Sequence, residues 1–433
     1  MYHKFFGGFF IFLTLLVCGA CQAQNKKNSK KKVKTLRTAY IEPDIYANVP
    51  HKLLNVRSND TFYIEEDIDL GGDVFEIPLG VTLVSRGGVV KNGVLYGNNT
   101  SIEKSNPLFE NITIRGTWDV KNISTSLFKS LSSDNALRNV IALANSNVDN
   151  TIIIEKGDYW FSLVHEAECG LVIPSNTKVI LNGNLLLRPN DLKRYYIVYV
   201  PSRNVFISGK GFIVGDKSLH VNNGGEWGMG IRFQTAQNCN VSNLTIKDCW
   251  GDCVCVSKES RDIEISKCNL FNGRRQGISV TSAIGVDIKD CIIKDVGGTN
   301  PEYAIDIEPD SYGSVKNVVI QNVKSVNCVG GFSVHVRKNS KSIVENIRIS
   351  NCIVTKSRKA SFWICGGKNI SVNGCTIADV KSTYVFNVKH ASNVIIENND
   401  IQTPNYVFRD IRMVKCKGNK VKNGKLQPFL LRK

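Results

Sequence analysis

With 433 residues, 42% of them hydrophobic and 21% charged, the chain is long enough for a large core and too apolar for a disordered polymer. Its net charge of +17 is uneven: residues 1–37 hold eight Lys or Arg and no acid, leaving 47 basic against 38 acidic residues beyond. That excess favours an acidic partner over a neutral one.

Residues 1–23 read as a secretory signal peptide: a lysine, an apolar run from Phe5 to Val17, then small residues. The run is too short for a membrane span. Two processing routes fit, lipidation at Cys21 within "CGAC" or ordinary cleavage after Ala23. Residues 24–37 are a basic, solvated linker suited to an anionic surface. An exported chain is expected in the periplasm, on an outer membrane as a lipoprotein, or secreted. Its acidic partner is then a polysaccharide rather than nucleic acid, and a monomer is expected.

Residues 38–130 carry short alternating runs with Gly and Asn turns, a small β-rich section. One amphipathic helix follows within 132–147, with Ser133 or Asp134 as N-cap and Leu137, Val140, Ile141 and Leu143 on its apolar side. Residues 131–433 then repeat a phrase: "LTIKDC", "IEISKC", "VDIKDC", "VVIQNV", "IRISNC", "ISVNGC", "VIIENN". Ile246, Ile265, Ile288, Ile320, Ile349, Val372 and Ile396 recur every 19 to 32 residues, a solenoid period, and are expected to stack inside. A second alternating strand follows in each period, from "CVCVS" to "VFNVK".

Short strands, Gly and Asn corners and no helical period describe an all-β, right-handed parallel β-helix with one N-terminal capping helix. The repeat and its Asn, Cys and Ile usage resemble the pectate-lyase-like superfamily of extracellular β-helix proteins. Cys249, Cys268, Cys291, Cys352 and Cys375 each fall three residues after the repeat's Ile or Val, and Val323 and Asn399 share that position. They are read as a column of buried thiols rather than disulfides.

Alternation in the second strands, with Val334/Val336 taken as one inward pair, leaves two outward columns. One reads Arg232, Cys255, Ser279, Asp306, His335, Trp363; the other Gln234, Ser257, Thr281, Glu308, Arg337, Cys365. Asp252, Arg274, Arg275 and Gln276 stand at the mouths of these strands. Asp252 lies two coils from Asp306, about 10 Å at the backbone, and Asp306 about 6.8 Å from Glu308. Either spacing suits an acid and a base on opposite sides of a glycosidic bond. "GDC" (251–253), "RQG" (275–277) and "AIDIE" (304–308) follow the order of the polygalacturonase "GDD", "GHG" and "RIK" motifs. Asp252 matches one motif carboxylate, but Cys253 and Gln276 replace a carboxylate and a histidine. "GRRQGISVTS" also resembles the "DRHG" strand of alginate epimerases, again with Gln276 for histidine.

The expectation is a carbohydrate-active enzyme on an acidic or polar polysaccharide, hydrolysing it, or acting at C5 as lyase or epimerase. A non-catalytic glycan-binding solenoid is the alternative. Asp306 and Glu308 would supply acid/base chemistry, with Asp252 assisting, all on an outward face. Arg275 would orient the substrate, and Arg232, Arg274, Gln276, His335, Arg337 and Trp363 would complete the binding face. Trp363 is a sugar platform or loop packing; His335 is a catalyst or a surface residue. No cofactor is required, although "DIEPD" offers Asp306, Glu308 and Asp310 to a calcium ion.

Overall fold

The computed structural model describes residues 53–422, apart from 54, 104–106, 131–133, 146, 165–167, 222–223, 338–339, 383, 404–405 and 410–413. The leader, Cys18, Cys21, the basic linker and Ser133 lie outside the described residues.

Each coil of the solenoid turns through three parallel sheets. One coil, for example, runs Ser260–Ser266 in the first, Asn269–Phe271 in the second and Ile278–Val280 in the third. The sheets contain twelve, eleven and ten strands, each paired in parallel with the coil before and after. An all-parallel sheet buries its inner face completely, so inward positions are aliphatic or aromatic. In the third sheet that inner column is Ile231, Val254, Ile278, Ile305, Phe332, Phe362 and Phe386. Phe362 packs against Phe332 and Phe386 at centroid distances of 5.5 and 4.9 Å.

The corners explain the asparagines. Asn176, Asn204, Asn238, Asp262, Gly285, Asn317, Asn346, Asn369 and Asn393 occupy one column, and all have φ between 51° and 73°. That left-handed conformation is hostile to most side chains, and Asn, Asp and Gly tolerate it best. Neighbouring asparagines also join side chain to side chain: Asn346 Nδ2 donates to Asn317 Oδ1 at 2.9 Å, and Asn369 Nδ2 to Asn346 Oδ1 at 3.0 Å.

The repeat column differs from the sequence expectation at one coil. Ile265, Ile288, Ile320, Ile349, Val372 and Ile396 stack in the first sheet, but Val241, not Ile246, precedes them. Ile246 is buried in the second sheet beside Leu270, so Cys249 falls outside the thiol column. The phrase "NVSNLTIKDC" alternates through two successive strands, and the eye catches the wrong one. Cys268, Cys291, Cys352 and Cys375 are buried free thiols, as are Cys249 and five others. Cys268, Cys291 and Cys352 donate to the carbonyl two residues earlier at 3.3, 3.2 and 3.2 Å, which supplies a partner for each buried S–H.

Helix α1 (Asp134–Ala142) lies against early strands of all three sheets, Asn150–Ile154, Asp158–Phe161 and Cys169–Val172. Ala136, Leu137 and Val140 are buried there. The helix also touches the strand Phe109–Asp119 of a separate six-stranded parallel sheet, where Asn139 Oδ1 accepts from the Ile114 N–H at 2.8 Å.

Candidate active site

The turns that lead from the second sheet into the third carry the candidate chemistry. Asp252, Arg275 and Gln276 stand on consecutive turns before Val254–Ser257 and Ile278–Val280. Asp306 is carried by Tyr303–Ile307 and Glu308 follows it. One expectation about the columns is corrected. Ser333, not His335, lies between Asp306 and Trp363, while His335 follows Glu308 in the second column and Arg337 lies beyond it. "GFSVHV" permits two alternating registers, and the one that buries Phe332 against Phe362 removes more apolar area from water.

A second correction concerns exposure. The outward face is closed over at its centre: Asp252 is 0% and Asp306 2% exposed, and Gln276 and Ser279 are equally buried. Polar side chains fold back from the strand mouths to pair with the acids. Arg275 Nη1 lies 3.3 Å from Asp252 Oδ2, its Nε 3.6 Å from Glu226 and its Nη2 4.0 Å from Glu308. Ser279 Oγ donates to Asp252 Oδ2 at 2.6 Å. Burial works against the Arg275 charge, but Asp252, Asp306, Glu226 and Glu308 outweigh it and raise its pKa. The guanidinium is therefore engaged by protein carboxylates.

Asp306 is held differently. Gln276 Oε1 accepts from the Tyr303 N–H at 3.0 Å, and a backbone N–H can only donate, so the amide orientation is fixed. Gln276 Nε2 must then face Asp306 Oδ2, 2.7 Å away, as a donor. Asp306 Oδ1 and the neighbouring Ser333 Oγ are both buried and meet no hydrogen-bond geometry with other groups, and Ser333 lies close enough to favour the Asp306 carboxylate. Burial, then the charge of Glu308, pushes the Asp306 carboxyl up to about 7. Glu308 behaves oppositely. Burial acts upward on it, but hydrogen bonding to His335 and Arg337 prevails and holds it below the ordinary range. His335 Nδ1 and Arg337 Nε lie 3.4 and 3.1 Å from Glu308 Oε1. Two carboxyl groups two residues apart are thus driven to opposite protonation states, the arrangement acid/base chemistry requires.

The remaining expected residues divide. Trp363 stacks with both His335 and Tyr303, with ring centroids at 4.7 and 5.8 Å. Arg274 lies over Trp250 at 3.7 Å and donates to Gly225 O, away from the acids. Arg232 bonds the Tyr196 hydroxyl at 3.0 Å, three coils from Asp306, about 14 Å along the axis. Asp310 is exposed, and among the described residues no group of three or more His, Cys, Asp or Glu is placed to hold a metal. Glu226 and Ser333 were missed by sequence reading. Glu226 sits in a glycine-rich loop without periodicity, whereas Ser333 was hidden by the register choice.

A family model described as right handed beta helix region matches residues 202–346. The A-module of mannuronan C-5 epimerase AlgE6 from Azotobacter vinelandii superimposes with a TM-score of 0.52, covering 70% of this chain and 100% of that one at 10% identity. The chain is a right-handed parallel β-helix. The β-helix is also similar to endo-xylogalacturonan hydrolase from Aspergillus tubingensis, at 14% identity and a TM-score of 0.49 over 65% of this chain and 88% of that one. Two curated relatives come from Bacillus subtilis (strain 168). Uncharacterized protein YclG is 31% identical over 180 residues, 35% of this chain and 31% of its own length. SPbeta prophage-derived uncharacterized protein YorA is 25% identical over 319 residues, 65% of this chain and 53% of its own. The β-helix thus spans less than two thirds of either relative.

Proposed function

We propose that this β-helix is an exported carbohydrate-active enzyme that hydrolyses glycosidic bonds in a polysaccharide, with Asp306 as general acid and Glu308 as general base. One observation carries the reading: Asp306 holds its proton to about pH 7, with Oδ2 taken by Gln276, beside a Glu308 held ionised by His335 and Arg337. Residues two apart on a strand are separated by about 6.8 Å, nearer the inverting spacing of roughly 6.5–9.5 Å than the retaining one. Asp252 assists indirectly, by fixing Arg275 between itself and Glu308. That a solved structure with this fold is a mannuronan C-5 epimerase supports the carbohydrate reading.

Hydrolysis is preferred to β-elimination or epimerisation because Arg275, the cation that spans the acid cluster, is already engaged by three carboxylates and has no charge to spare for a uronate. The depth of Asp306 favours a second reading, a glycan-binding solenoid in which a neutral carboxyl merely completes the packing. Incubation with a panel of uronate-containing and neutral polysaccharides, scoring reducing ends and the absorbance of unsaturated products, separates the three chemistries. Asp306→Asn should lose at least about 10²-fold in rate on any polysaccharide the parent cleaves. Full activity in that variant would remove Asp306 from the mechanism.

A further inference from the structure

Two grooves of about 530 Å³ each share a wall beyond the acid cluster. One is walled by Tyr303, Trp363, Tyr384 and Asn387, the other by Lys217, Asp295 and Glu302, and Arg358 and Lys359 line both. Counting back from the paired residues Ile278, Ile305, Phe332 and Phe362 puts Arg358 and Lys359 at the same distance before their strand as Arg274 and Arg275 before theirs, three coils on.

The cations here differ in what holds them. Lys359 Nζ has three partners, Asn300 Oδ1 at 2.7 Å, Glu302 Oε2 at 2.9 Å and Pro301 O at 3.0 Å. Lys217 Nζ donates to Asn272 Oδ1 and Gly297 O at 2.7 and 3.1 Å, and burial lowers its pKa. Arg358 is exposed, makes one long hydrogen bond of 3.5 Å to Asn327 Oδ1, and forms no ion pair among the described residues. Beneath it Tyr303 and Trp363 stack at 25°, and Asn387, the strand neighbour of Trp363, has a buried Oδ1 without a partner.

A flat aromatic pair, an orphaned amide oxygen and an exposed guanidinium that shares the field of Glu302 with Lys359 but forms no ion pair of its own form a complementary set for one ligand class. Resting on the hydrolase reading, we propose that this groove is the subsite for an acidic sugar. The ring lies against Tyr303 and Trp363, Asn387 Oδ1 accepts from a sugar hydroxyl, and Arg358 holds the carboxylate in its fork. Discrimination of the acidic substrate then belongs to Arg358 and not to Arg275. The negative cluster around Asp252, Glu226 and Glu308 places the charged ring on this side of the cleaved bond.

Calorimetric titration of the Asp306→Asn chain, which turns nothing over on that reading, tests the subsite with tetragalacturonate, tetramannuronate, the methyl ester of each and neutral cellotetraose. An acidic tetramer should bind about tenfold or more tightly than its own ester, as a charge-assisted contact implies, and lose that margin at high salt. Arg358→Gln should erase the preference with an unchanged melting temperature, and Arg358→Lys should retain part of it. Equal binding of acid and ester, a preference that survives Arg358→Gln, or no binding of either acidic tetramer would overturn the subsite. Activity measured in parallel on the Arg358 variants and on Asp306→Asn keeps the two ideas apart: an active Asp306→Asn defeats the acid assignment, while a preference that depends on Arg358 still upholds the subsite.

Discussion

Asp306 makes its own environment measurable without a substrate. Its carboxyl titrates near 7 in the folded chain and near 3.9 when unfolded, so the folded state binds the extra proton between those values. The stability this provides is fully present below about pH 4, falls as pH rises toward 7, and is constant above. Asp306→Asn removes the proton and the dependence together. Melting curves of parent and variant between pH 4 and 8 should therefore diverge in the variant's favour as pH rises, and parallel curves would contradict the burial argument. In the enzyme reading, the rate should fall as pH rises through about 7 and persist in mild acid, because Glu308 stays ionised below the ordinary range. A pH–rate profile rising through 7 would reverse the two roles. The association of Arg275 with Asp252 and Glu308 was legible in the sequence, because coil period and alternation put them within one coil of each other. The burial of Asp306 and Asp252 was not, since alternation says which way a side chain leaves the strand and nothing about what folds over it. Arg358 escaped notice because its charge looks like any exposed "SRK" turn until its lack of an ion pair is seen.

At the scale of strands and corners, the left-handed column offers a direct comparison. Asn346→Ala places a β-carbon in that conformation without an amide to bond Asn317 and Asn369, and should cost about 1–2 kcal/mol. Asn346→Gly loses the same bonds but not the backbone fit, so it should cost less; chemical denaturation that ranks Gly below Ala would show that the left-handed backbone does not set the residue. In the inner column, Phe362→Ala should cost about 3–5 kcal/mol because both flanking rings lose a partner. Repeat existence was readable from "IEISKC" and "VDIKDC", whose spacing allows one phase. It failed at "NVSNLTIKDC" and "GFSVHV", where two strands or two registers satisfy the same alternation and the choice is made by contacts with the neighbouring coil.

At the scale of the whole molecule, the cysteine sulfurs of the described residues sit almost entirely out of solvent. All twelve cysteines from Cys169 to Cys416 are free, and only Cys365 and Cys416 are not buried. Thiol titration of denatured, unreduced protein should find essentially all of these sulfurs reactive, whereas the native protein should react chiefly at Cys416. A denatured count near zero would mean that oxidation during export outweighs packing. The order of the third sheet has a further consequence. Its site-bearing coils, those of Val254–Ser257, Ile278–Val280 and Tyr303–Ile307, are fourth, fifth and sixth among the ten described strands. A solenoid coil is held only by its neighbours, so opening begins at the ends and travels inward. Amide exchange should therefore slow from either end toward residues 254–307, and the protein should lose its outer coils to heat or protease while the acid pair is still intact.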